Sequence, residues 1–197
     1  MTLELSKLPL AIHKIDLVKS GALFEKKPEK KIAMGTIKAE DKAFSWDVTG
    51  DMCTQGINDA EFGEGKNKRT NYSIGLTLEE QDQEFIQKCL DVLTSFCNDN
   101  DAEDYEIVDP VKDSDMLYVK LKTDRSGKKF LFKSNTKITP KNYSEVANCA
   151  RVNVVLGMNV YFNLDEKKAG VSFNTEEINF DPEDDAPPMK KTKYSSK

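Results

Sequence analysis

The segment from Arg151 to Phe180 reads RVNVVLGMNVYFN (151–163), LDEKKAG (164–170) and VSFNTEEINF (171–180). In its first part Val152, Val154, Leu156, Met158, Val160 and Phe162 share one parity, while Asn153, Gly157, Asn159 and Asn163 fall on the other. Alternation with a period of two predicts a strand with one buried face. In the last part Val171 and Phe173 are odd but Ile178 and Phe180 are even. Parity changes within a strand only if a residue is inserted, so a bulge is expected near Glu176 or Glu177. Two long strands joined by a charged turn, one of them bent, with Gly157 and Gly170 where backbones turn or come close, predict the closing hairpin of a small curled β-barrel.

The rest of the chain fits that frame. Strands are expected at Lys31 to Ile37 and Ala43 to Val48, as a hairpin, at Thr70 to Leu76, and at Met116 to Lys122 with Phe130 to Lys133, as a second hairpin. Residues 1–20 read as an extended arm and a first strand, and Pro28 sits in a charged turn. The Gly-, Asp- and Asn-rich stretch 49–68 reads as a long loop. One helix stands out: Thr77 with Glu80 three residues on has the form of a capping box, and Phe85, Ile86, Cys89, Leu90, Leu93 and Phe96 follow at helical spacing. A helical turn is expected within 140–149. The expected class is mainly β: an OB-like antiparallel barrel with added strands and one helix, occupying residues 1–180. Residues 181–197, with three prolines and many charges, read as a disordered charged tail.

Composition narrows the function classes. Charged residues make up 32% of the 197, and no apolar run approaches the roughly 20 residues of a membrane span. The beginning, MTLELSKLPLAIHK, lacks the pattern of a signal peptide, so an intracellular protein is expected, in the nucleus or at a viral replication site, otherwise in the cytoplasm. Cys53, Cys89, Cys97 and Cys149 form no CxxC pair and have only His13 to join them, which favours reduced buried thiols over a zinc site. There is no GxSxG, no phosphate loop and no dinucleotide turn. The carboxylates of 99–115 are the one group able to hold Mg²⁺ for a nuclease, and a solvated insertion is the simpler account of them. No enzyme, cofactor or metal is expected.

Net charge is −5, yet it is unevenly spread. Residues 99–115 carry eight acids against Lys112, and residues 120–151 carry nine bases against Asp124 and Glu145. A site for single strands needs cations to follow the phosphates and aromatic rings on which bases stack. Tyr118, Lys120 and Lys122 share the outward parity of one expected strand; Arg125, Lys128 and Lys129 crowd the turn after it, and Lys133 follows. Lys66, Lys68 and Arg69 extend the basic set. Trp46 and Tyr72 are further stacking candidates, although their parity favours the core, as it does for Phe130 and Phe132.

The closing segment resembles the last hairpin of the OB-fold single-stranded-DNA-binding proteins of phages and large eukaryotic DNA viruses. In that group a final strand of the form G-(V/I)-S-(F/L)-x-x-x-x-(V/I) is typical, and Gly170, Val171, Ser172, Phe173 and Ile178 match it in kind. The resemblance covers about thirty residues plus a tail whose Asp181, Glu183, Asp184 and Asp185 look like the group's acidic ends. It implies coating of exposed DNA strands in replication, recombination or repair, without sequence preference. Implied partners are single-stranded DNA or RNA, and replication or recombination proteins through the tail, with self-association of the chain left open. The departure is the ending MKKTKYSSK: Lys190, Lys191 and Lys193 form a nuclear-import pattern instead of an acidic terminus. The acidic part of the tail is also expected to compete with DNA for the basic groove. The alternative from another class is a viral or nuclear protein-interaction module that binds no nucleic acid.

Overall fold

The computed structural model describes residues 8–39, 42, 43, 45–62, 69–112, 115–146 and 151–181. In chain order these form β1 (Leu10–His13), α1 (Leu17–Lys26), β2 (Ile32–Ala39), β3 (Lys42–Ala43), β4 (Ser45–Phe62), β5 (Arg69–Thr77) and α2 (Glu80–Asp99). They continue as β6 (Glu106–Val108), β7 (Val111–Lys112), β8 (Met116–Leu121), β9 (Lys133–Ser134), β10 (Arg151–Asn163) and β11 (Lys168–Asp181). The protein is mainly β, and its sheet curls into a half-barrel. No described helix is long and apolar enough to cross a membrane.

β10 is the axis of the sheet. One of its edges carries β11 over its whole length, antiparallel from Arg151↔Asp181 to Asn163↔Lys168. Its other edge is shared end to end: β4 pairs with residues 151–157 and β2 with residues 159–163. The even residues Val152, Val154, Leu156, Met158, Val160 and Phe162 are all buried, as their spacing predicts. The register slips between Val155 and Leu156, whose partners are Glu177 and Thr175, so Glu176 is the inserted residue. This bulge restores apolar Ile178 and Phe180 to the core side. Gly157 lies beside it, where a Cβ would stand 2.6 Å from Glu176 Oε1. Gly170 leaves room for the Tyr161 ring, whose hydroxyl would meet a Cβ at 2.7 Å.

Beyond β4 the sheet continues through β5 to β8. It then bends back toward β11, and residues 130–135 bridge the gap. Thr123 pairs with Phe130 and the Leu131 N–H donates to the Lys122 carbonyl, which ties the segment to β8. Lys133 and Ser134 then run parallel to Glu177 and Ile178 of β11. Asn135 completes the seam: its amide donates to the Phe180 carbonyl at 2.9 Å and its side-chain oxygen accepts from the Phe180 N–H at 3.0 Å.

Helix α2 lays Phe85, Ile86, Cys89, Leu90, Leu93 and Cys97 into the core. Trp46 is fully buried between Phe85 and Phe173, at ring separations of 5.2 and 5.6 Å. Burial pushes the Cys89 thiol up to about 12, so this cysteine packs as an apolar group and stays protonated.

Several expectations are corrected. Helix α2 begins at Glu80, with Glu79 as N-cap, and Thr77 is the last residue of β5, so the Thr77 capping box does not form. The carboxylate of buried Asp82 instead reaches back to the Glu79 N–H. Residues 49–62 are not loop but part of the 18-residue β4. The run of polar residues and glycines in TGDMCTQGINDAEF hid this strand, although Ile57 is buried opposite Ile74 of β5. The first expected hairpin shrinks to β2 with the two-residue β3, since β10 inserts between β2 and β4. The second dissolves, because residues 130–134 leave β8 after one bridge and go to β11. Helix α1, N-capped by Asp16 accepting from the Lys19 N–H at 3.0 Å, was hidden by its lack of any buried residue. The acidic stretch is anchored rather than loose. β6 runs parallel to β11, Tyr105 packs on Phe162, and Lys167 caps the Tyr105 ring while pairing with Asp104. The expected tail beyond residue 181, with Lys190, Lys191 and Lys193, lies outside the described residues.

Candidate nucleic-acid interface

Along β8 burial alternates, with Leu117, Val119 and Leu121 inward and Tyr118 and Lys120 outward, and Lys122, the residue after the strand, is exposed. Outward residues on one strand stand about 6.7 Å apart, which sets Tyr118 beside Lys120. Tyr118 is 47% exposed and faces Gly75 across the ladder, so no side chain stands directly opposite it on β5.

After β8 the chain makes a tight turn built on Asp124. Its carboxylate accepts from the Ser126 hydroxyl at 2.8 Å and from the N–H groups of Lys128 and Lys129 at 2.9 and 3.3 Å. The Asp124 N–H donates to the Lys129 carbonyl at 2.8 Å, and Gly127 supplies the positive φ of 67° that closes the loop. The Ser126 hydroxyl, ahead of these backbone donors, holds the Asp124 carboxyl below its usual range. Arg125, Lys128 and Lys129 are thus carried on an ordered turn with their side chains in solvent.

Between this turn and the start of β5 lies an open cavity of about 810 Å³. Its walls are Thr70, Asn71 and Tyr72 on one side and Lys120 to Gly127 with Leu131 on the other. Lys120, Lys122 and Arg125 bring three cations to it, and Asp124, whose oxygens are occupied, brings the one anion among the lining residues. Asn71, Thr70, Thr123 and Ser126 add uncharged polar groups that sequence reasoning missed, because such residues carry no spacing signal. The Lys122 ammonium donates to the side-chain oxygen of Asn174 on β11, and Thr175 Oγ1 lies 3.5 Å from the Lys120 carbonyl, so the floor of the trough touches β11.

Other candidates divide. Lys128 and Lys129 stand on the same turn but do not line the cavity, and Lys133 lies on β9 beside β11, away from it. Arg69 opens β5 next to Thr70, so its backbone adjoins the trough. Lys66 and Lys68 lie outside the described residues. Trp46, fully buried, has no face open to a base, which corrects its standing as a stacking candidate. Tyr72 is 8% exposed: its edge reaches the cavity, but its ring packs edge-on against Phe130 and Tyr143. Phe130 is in the core with Phe132 stacked on it. Burial, with a hydrogen bond to the Asp59 carboxylate next in weight, pushes the Tyr143 hydroxyl up to about 12. No group of three or more His, Cys, Asp or Glu among the described residues is arranged to hold a metal ion.

No protein-family model, curated protein or solved structure matches this chain.

Proposed function

We propose that this chain is an OB-like barrel that binds single-stranded nucleic acid, DNA in the first instance, without catalysis and without strong sequence preference. The carrying observation is the convergence of Lys120, Lys122 and Arg125 on one open trough, with the exposed Tyr118 on the same face of β8 as Lys120. Phosphates would follow the cations, and a base would stack on the exposed Tyr118, a contact worth roughly 1–3 kcal/mol. Lys128 and Lys129, held on the Asp124 turn, lengthen the positive track at one end. Side chains reading base edges in pairs are not needed, which accords with indifference to sequence. Lys122 would exchange its Asn174 contact for a phosphate, so its net contribution is smaller than that of Lys120.

Fluorescence polarisation of a labelled oligothymidine at two or more ionic strengths tests this. Affinity should fall steeply with salt, and Lys120→Ala or Arg125→Ala should each lower the log–log salt slope by about 0.7, the value for one phosphate on a single strand. Tyr118→Ala should weaken binding about tenfold with little change in slope. Failure of the wild-type protein to bind in dilute buffer would refute the proposal.

A further inference from the structure

Among the residues lining the trough, one apolar side chain is open to whatever fills it. Leu121 and Tyr72 are 2% and 8% exposed and belong to the core, whereas Leu131 is 57% exposed. A single leucine in solvent is ordinary. This one is distinguished by how it is held. The Leu131 N–H donates to the Lys122 carbonyl at 2.9 Å, the next pair is the Thr123↔Phe130 bridge, and the Asp124 N–H donates to the Lys129 carbonyl at 2.8 Å. These bonds set Leu131 opposite Lys122 with Cα atoms about 5.5 Å apart, as in an antiparallel ladder. Phe130, before it, is buried edge-on against Tyr72, and Phe132, after it, stacks on Phe130. Backbone and both neighbours therefore fix Leu131 on the wall, with its side chain left beside a lysine. Three cations suffice to hold any polyanion, whether inorganic polyphosphate, an acidic peptide or a nucleic acid. An exposed apolar surface among them gains nothing from phosphate or carboxylate, but it gains from a ligand that brings an uncharged ring face along with its charge.

We infer that Leu131 is the base contact inside the trough, and that it makes the trough selective for base-bearing polyanions over polyanions without bases. This role rests on the trough being a nucleic-acid site, and it divides the work there. Lys120, Lys122 and Arg125 take phosphates, and Leu131 covers the face of a base carried by the same stretch of chain. Tyr118 is not among the lining residues, so a base on its ring is a separate contact outside the cavity. Apolar contact with a leucine is indifferent to which base is present, in keeping with binding that does not read sequence.

The test is a polarisation competition on the full chain, with labelled oligothymidine as the probe and two unlabelled competitors of equal length. One is oligothymidine and the other is the same sugar–phosphate chain without bases. Both carry the same phosphates, so the ratio of their affinities isolates the bases. Wild-type protein should favour oligothymidine about tenfold or more. Leu131→Ala should cut that ratio about threefold to tenfold, with the log–log salt slope for oligothymidine unchanged. Leu131→Met, which keeps an apolar chain of similar volume, should restore the ratio. A partly unfolded variant would lower both affinities alike, so loss of fold cannot imitate the effect. The same loss should recur when Leu131→Ala is made in a Tyr118→Ala background, because the two contacts are separate. A wild-type ratio near one would overturn the inference and leave a trough for polyanions in general. A ratio that Leu131→Ala does not alter would overturn it while leaving the nucleic-acid reading intact, with the bases held elsewhere. Absence of binding to either oligomer would remove both.

Discussion

Gly35 and Gly157 both lack room for a side chain, but for different reasons. At Gly35 a Cβ would stand 2.9 Å from Val160 Cγ2 and 3.1 Å from both the His13 carbonyl oxygen and Ile15 Cγ2. Those are backbone and packed branched side chains, which cannot retreat. At Gly157 the obstacle is the end of the exposed Glu176 side chain, whose other oxygen accepts from the Ser45 hydroxyl at 2.8 Å. Gly35→Ala should therefore cost about 1–3 kcal/mol and Gly157→Ala about 1 kcal/mol or less, as read from urea midpoints at constant slope. Asp82 makes a different kind of prediction. Burial raises its carboxyl above the ordinary value of 3.8, against the opposing Trp46 indole N–H, which itself finds no partner of full hydrogen-bond geometry. The folded state thus holds a proton that the unfolded chain has released, so stability falls as pH rises from 3.8 to the raised value and is level above it. Asp82→Asn should remove that decline, which urea melts of both proteins across the acid range would reveal; parallel curves would show that Asp82 is not the titrating group.

Among the elements, the seam made by residues 130–135 is the one whose loss should open the sheet. Asn135→Ala deletes both hydrogen bonds to Phe180 and should cost about 1–3 kcal/mol. Faster amide exchange should appear at Lys133, Ser134 and Phe180 before it appears in β10. This seam was not legible in the sequence. FLFK alternates as a strand should, and nothing local says that it abandons β8 for a parallel partner more distant in sequence. β10 and the bulge in β11 were legible because burial on one face writes period two, and a slip writes a change of parity. α1 was not, since it has no buried residue, and the outer half of β4 was not, because polar residues and glycines break its alternation. The trough was legible in part. Lys120 and Lys122 follow from strand parity and Arg125 from its turn, whereas Asn71, Thr70 and Ser126 become neighbours only through the pairing of β5 with β8.

At the scale of the molecule, one indole reports on the whole core. Trp46 is the only tryptophan, buried where α2 meets the sheet. Its emission should be blue-shifted in the native state and should move to the red in a single transition that coincides with far-ultraviolet circular dichroism. It should also be almost unaffected by an oligonucleotide, because the ring has no surface to quench against a base; strong quenching on binding would mean that the core opens. The placement of β10 carries one more consequence, for synthesis on the ribosome. β2 and β4 emerge first, yet the strand that pairs with both is made only after β5, α2 and β8. Until then the edges that β10 joins have no partner strand, so the nascent polypeptide passes through a prolonged stage in which chaperone capture competes with premature aggregation. Truncations that stop before Arg151 should accordingly be insoluble or chaperone-bound when expressed, however much of the preceding chain they retain.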